Sequence, residues 1–245
     1  MSGLRKLSDL TGYGFLAQDA EVGRLEEIYF DDHYWHARYL VVKTGNWLLG
    51  RRVLLVPEVI EGIDDEEKNL WVNLTRQQIE NAPPIDSEQP VSWTYQQQYY
   101  RYYDRDPYWI TDSLFNSTPA IPPFVQPDET IKKPENPHLR SSSEVTGYRL
   151  SAEDGDVGHV EDFIFDEQSW ALRYLEIDTR NWLPGRHVLI SPAWVEEVDW
   201  ATQQVKVAVS RDLVNNAPEY DSSKHISREY QLALYKHYGK SFSEE

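Results

Sequence analysis

The stretch Asp154-Gly-Asp-Val-Gly-His-Val-Glu-Asp-Phe-Ile-Phe-Asp-Glu-Gln-Ser-Trp-Ala-Leu-Arg-Tyr-Leu-Glu-Ile-Asp178 decides the architecture, because the chain contains its pattern twice. The counterpart runs from Asp19 to Lys43, without a gap and at a constant offset of 135 residues. Working outward, the same offset pairs Thr11-Gly-Tyr13 with Thr146-Gly-Tyr148, Asn46-Trp-Leu48 with Asn181-Trp-Leu183, and Asn81-Ala-Pro83 with Asn216-Ala-Pro218. Duplication of one unit explains this register. Two repeats are too few for a solenoid, so tandem domains are expected.

Each repeat consists of short apolar runs separated by turn signals. In the first, strands are predicted over Tyr13 to Ala17, Gly23 to Phe30, Ala37 to Thr44 and Arg51 to Val56. A hairpin follows, Ile60 to Ile63 with Leu70 to Leu74, across the acidic turn Asp64 to Asn69. Pro57 ends the fourth strand because it lacks the ladder donor. Ile28 and Phe30, matched by Phe163 and Phe165, are expected inside. Val41 of the first repeat becomes Glu176 in the second, which predicts a solvent-facing side for that strand, since strand side chains alternate. Closely spaced short strands predict a small all-β barrel or sandwich. Thr75 and Ser210 stand as N-caps of short helices stopped by Asn-Ala-Pro.

After the first repeat, Tyr95, Tyr99 and Tyr102 recur at helical spacing. Tyr230, Leu234 and Tyr238 do so after the second, and both segments read as amphipathic helices. Residues 104–140 hold seven prolines and no periodicity, and read as a linker. The linear division expected is therefore a domain over 1–83, an aromatic helix and linker over 84–140, a second domain over 141–218, and a C-terminal helix over 219–245.

The glycine turn, the paired hairpin and the Arg173-Tyr-Leu-Glu-Ile-Asp178 ending resemble the PRC-barrel domain, named for the cytoplasmic part of the photosynthetic reaction centre H subunit. The resemblance covers about residues 5–83 and 140–218. It implies a mainly β fold of two tandem small PRC-type barrels, each followed by short α-helices, of the free-standing bacterial kind. It also implies a range of roles: holding a membrane complex together near a quinone, or binding a ribosomal protein during subunit assembly. It carries over no catalytic residue. The first repeat departs from the pattern with Ala20 where the second has Gly155.

Composition narrows the partners. The net charge is −17. Residues 1–83 carry 14 acids against 9 bases and residues 141–218 carry 14 against 6, so both repeats repel a phosphate backbone. Nucleic acid is not an expected partner. Cysteine is absent, which fits a reducing cytoplasm and removes thiol chemistry. No apolar run approaches the ~20 residues that span a bilayer, and no secretory signal is expected at the N-terminus.

The recurring side chains offer few reacting groups. His33, His36, His159 and His187 fall opposite Gln168, Ala171, Arg24 and Arg52. With no helical His pair, no metal site is expected, and no cofactor or catalytic residue either. Asp19 with Glu21, and Asp154 with Asp156, read as turn carboxylates. Arg38, Tyr39, Trp47 and Arg51 recur as Arg173, Tyr174, Trp182 and Arg186. Together with Tyr95, Tyr99 and Tyr102 these are the candidate interaction residues, with an Arg–Trp cation–π pair as one arrangement. The expectation is a non-catalytic protein-interaction or assembly scaffold that forms a homo-oligomer. The alternatives are a module binding a sugar or quinone in a cleft lined by Trp47, Trp182, Tyr39 and Tyr174, or a factor associated with ribosomes or a photosynthetic complex.

Overall fold

The computed structural model describes residues 3–83, 85, 91, 93–105, 107–108, 138–179 and 186–242. The proline-rich segment 109–137 and the loop 180–185, which holds Trp182, lie outside the described residues. So does the side chain of Trp47.

The protein is mainly β, with two seven-stranded sheets and few short helices, arranged as two barrel-like domains. The first sheet takes β2 (Gly14–Leu16), β3 (Glu21–Asp31), β4 (His36–Thr44), β5 (Arg52–Leu55), β6 (Ile60–Asp64) and β7 (Asn69–Val72), in the order β5-β4-β3-β2-β7-β6. The second takes β9 (Arg149–Ala152), β10 (Gly155–Asp166), β11 (Leu172–Asp178), β12 (His187–Ile190), β13 (Val195–Asp199) and β14 (Gln204–Val207), in the order β12-β11-β10-β9-β14-β13. Each order contains one parallel pair, β2 with β7 and β9 with β14. One short strand joins each sheet off this path: β1 (Leu4–Lys6) pairs with β10, and β8 (Leu139–Ser141) with β3. The predicted strands of both repeats are therefore present.

The compact units are not contiguous in sequence. One comprises 1–11, 30–37 and 140–245, and the other 12–29 and 38–139. The linear division puts residues 1–11 with the first repeat, whereas pairing of Leu4, Arg5 and Lys6 with Asp166, Phe165 and Ile164 puts them with the second sheet. In the same unit Ala37 N donates to Trp170 O, and Leu172 N to Trp35 O. Trp35 and Trp170 sit at the hairpin turns with φ of 55° and 58°, a region a bulky residue rarely adopts. Each stacks on a phenylalanine, Trp35 on Phe30 at 5.5 Å and Trp170 on Phe165 at 5.1 Å.

Both faces of the hairpin strands are buried. In β4, Tyr39, Leu40, Val41 and Val42 are all fully covered. The second cover is helical. In one unit, α3 (Trp93–Tyr102) lays Tyr99 edge-on against Tyr39 at 5.5 Å. In the other, α6 (Arg228–His237) buries Leu234, and the following Tyr238 packs on Trp194 at 4.3 Å. The short helices α2 (Arg76–Glu80) and α5 (Arg211–Asn215) carry the expected caps: Thr75 accepts from Gln78 N, Ser210 from Leu213 N. Two single turns, α1 (Leu7–Leu10) and α4 (Ser142–Val145), precede β2 and β9.

At Gly23 and Gly158 the backbone of the neighbouring strand leaves no room for a side chain. A Cβ at Gly23 meets Lys43 O at 2.2 Å, and one at Gly158 meets Asp178 O at 2.2 Å. Both obstacles are backbone, so neither yields by a rotamer change. Gly158→Ala is expected to cost about 3 kcal/mol, at the upper end of overpacking penalties. Urea denaturation with an unchanged m-value measures it.

Candidate functional site

The recurring arginines and tyrosines hold each unit together. Arg51 donates to the carbonyls of Glu80 and Ala82, at 3.3 and 3.1 Å. Arg186 donates likewise to Asn215 and Ala217. These are the open carbonyls at the ends of α2 and α5. Tyr95 donates to Pro83 O and Tyr230 to Pro218 O, which ties each long helix to the Asn-Ala-Pro turn. Tyr39 donates to Gln96 Oε1 and Tyr174 to Gln231 Oε1. Tyr99, fully buried, accepts from Val56 N, and Tyr102 donates to Gln78 O. Arg38 stacks on Tyr108, its Cζ 4.1 Å from the ring centroid. Arg173 is half-buried on β11. Tyr39 and Tyr99 pack inside their own unit and so present no outward contact.

The turn carboxylates also have structural roles. Asp19 Oδ1 accepts from Arg76 N and Asp154 Oδ1 from Arg211 N, so each caps the first turn of a short helix. Asp64 Oδ1 accepts from the amides of Glu66 and Glu67 and closes the acidic hairpin turn.

The chemistry-bearing residues gather instead on the outer face of the second sheet. A bulge in β10 between Val160 and Asp162 resets the alternation, and Asp162 then pairs with Glu176 while His159 pairs with Asp178. On the far side of β11, Asp178 pairs with His187. The expectation that Glu176 faces solvent is incorrect: it is 1% exposed. The reason is a cover contributed from elsewhere in the chain, the segment Leu4–Leu10. Lys6 Nζ lies 2.8 Å from Glu176 Oε2, and His187 Nδ1 lies 2.8 Å from Oε1.

Asp162 completes the band. Its carboxylate accepts from the amide and hydroxyl of Ser8 and from its neighbour Phe163 N, with Lys6 Nζ at 3.6 Å. Burial pushes the pKa of Asp162 above the ordinary carboxylate value, against the pull of those donors and of Lys6. Burial opposes the charge on Lys6, but Glu176 and Asp162 outweigh it and hold the ammonium pKa above its usual value. Burial also raises the Tyr220 hydroxyl, with Glu176, Asp9 and Asp162 adding to the shift. At the outer end of the band, His159 Nε2 stands 3.5 Å from Glu161 Oε2 and 3.9 Å from Asp178 Oδ2.

The first repeat lacks this band. In place of His159, Glu161, Asp162, Glu176, Asp178 and His187 it has Arg24, Glu26, Glu27, Val41, Lys43 and Arg52, and Arg52 pairs with Glu26. Reading the repeats one strand at a time concealed the band, because its members come from four separated stretches. The signal available was a run of acid-for-apolar and acid-for-base exchanges at a single register.

Residues 138–214 match the PRC-barrel domain. That match covers strands β9 to β14 of the second sheet. No curated protein matches the chain. Among the described residues no helix is long and apolar enough to cross a membrane.

Two outcomes test the band. Lys6→Ala removes the ammonium beside Glu176 and is expected to cost about 2–3 kcal/mol, below the full cost of breaking a buried pair because His187 Nδ1 stays 2.8 Å away. Adding Glu176→Val, the first repeat's residue, is expected to recover most of that loss in a double-mutant cycle. For Asp162, a raised folded pKa means that the folded state holds the proton more tightly than the unfolded chain. Its contribution to stability is therefore present below 3.8 and lost as pH rises through the folded pKa. Asp162→Asn is expected to gain stability relative to wild type over that rise. A pH series of urea midpoints showing a constant difference would exclude this assignment.

Proposed function

We propose that the protein is a non-catalytic interaction or assembly scaffold carried on two PRC-type barrels, with the sheet of the first repeat forming the other such barrel. The observation that carries this reading is where the repeated side chains go. Arg51 and Arg186, Tyr95 and Tyr230, and Tyr39 and Tyr174 all bond within their own units. What recurs builds a frame, and such a frame suits display of an outer surface. The PRC-barrel match over 138–214 supports it. The ligand-cleft reading has less support, because Tyr39 lies fully buried beneath α3.

The surface suggests the partner's chemistry. A net charge of −17 favours association with a basic protein. The described residues expose few large apolar side chains: Leu49, Trp71, Tyr102 and Leu232. Trp71 on β7 is 49% exposed; it lies opposite Gly62 on β6, which offers no side chain to cover it, and opposite Leu16 on β2. The second sheet has Lys206 there, paired with Glu197 at 2.7 Å. A half-exposed tryptophan within acidic surroundings fits an interface anchor.

Affinity capture with the tagged full chain at low salt, read by mass spectrometry, tests the proposal. The expected result is one enriched basic protein, released by raised salt and reduced at least tenfold by Trp71→Ser at unchanged fold. A monomer that captures nothing beyond itself at low salt would count against the scaffold reading.

A further inference from the structure

We propose that His159, Glu161 and Asp178 bind one divalent transition-metal cation of the Zn2+ type. His159 and Asp178 are cross-strand partners on β10 and β11, and the β10 bulge leaves Glu161 outside the paired register. The imidazole nitrogen and the two carboxylate oxygens all lie within 4.8 Å of one another. His159 Nε2 lies 3.5 Å from Glu161 Oε2 and 3.9 Å from Asp178 Oδ2. A cation with bonds of about 2.0–2.2 Å to nitrogen and oxygen holds tetrahedral ligands roughly 3.4 Å apart. Small side-chain rotations therefore complete the set.

Burial is graded along the trio. The Asp178 side chain is wholly buried, while those of His159 and Glu161 are 31% and 42% exposed. Asp178 forms the floor and the other two form the mouth, so the remaining coordination position opens to solvent. Three protein ligands with one open position is a pattern zinc adopts. The imidazole favours Zn2+ over Mg2+ or Ca2+, whose preferred ligands are all oxygen.

Charge gives an independent argument. With a neutral imidazole the trio carries two negative charges. At the same register the first repeat has Arg24, Glu26 and Lys43, two fixed cations around one carboxylate. The second repeat replaces both cations, one with a metal ligand and the other with an acid. A bound dication offsets the two carboxylate charges that no side-chain cation of the trio offsets. The site is distinct from the interaction surface proposed above and does not depend on it.

The experiment is titration of the chelator-treated full chain with ZnCl2, followed by calorimetry and by competition with a chromogenic chelator. One Zn2+ per chain at micromolar or tighter affinity is expected, with no saturable binding of Mg2+. His159→Gln and Glu161→Gln alter part-exposed side chains and should fold normally. Each is expected to weaken binding at least tenfold. His159→Arg, which installs the first repeat's residue, should abolish it. Co2+ titrated in place of Zn2+ should give visible absorption bands that disappear in His159→Gln. Binding of Zn2+ by these variants as by the wild type, or no saturable site in the wild type, overturns the proposal.

Discussion

The structure depends on covering both faces of its central hairpin strands. A strand buried on one side can leave polar residues in water on the other, but β4 and β11 are covered on both faces along most of their length. Tyr39 and Val41 are as buried as Leu40 and Val42. Once the outer face is covered, each polar atom on it requires a partner within the fold, because an unsatisfied buried group costs more than a bond gains. The long helices meet this demand with paired glutamines, Gln96 for Tyr39 and Gln231 for Tyr174. Where the outer face carries carboxylates, residues 4–10 meet it with Lys6 and Ser8.

The two repeats solve the same geometric problem with different electrostatics. Both sheets share one strand order, one parallel pair and one close approach at a glycine. The first repeat places Arg24, Lys43 and Arg52 around Glu26 and Glu27, with Val41 inside. The second places His159 and His187 around Glu161, Asp162, Glu176 and Asp178. Architecture survives this exchange because inward residues such as Ile28 and Phe30, or Phe163 and Phe165, carry the core. The repeats therefore differ on the outer face, where the buried carboxylate network occurs in one repeat only.

Among the candidate binding residues, Arg51, Arg186 and Tyr95 serve as internal supports, as does Tyr230. Arginines and tyrosines that recur at a fixed offset suggest recognition, but here they bond the carbonyls at the ends of short helices. Those carbonyls have no helical partner, and each unit repeats the need, so the solution repeats as well. The half-exposed Trp71 has no aromatic counterpart in the second repeat, and for that reason it stands out as a surface feature.

The sequence by itself determined the repeat register, the strands, the caps of the short helices and the mainly β class. Each of these follows from local spacing: apolar alternation, Asp and Gly at turns, Thr75 and Ser210 before a helix, Pro after it. Only the tertiary structure decided which strand faces are wet. Local alternation marks Glu176 as exposed, yet residues 4–10, distant in sequence, bury it beneath Lys6. Likewise, a bulge at Glu161 sets which carboxylates share a face, and cross-strand pairing brings Asp178 to His159. Burial and convergence are properties of segments that meet across long separations, and periodicity within any one segment does not contain them.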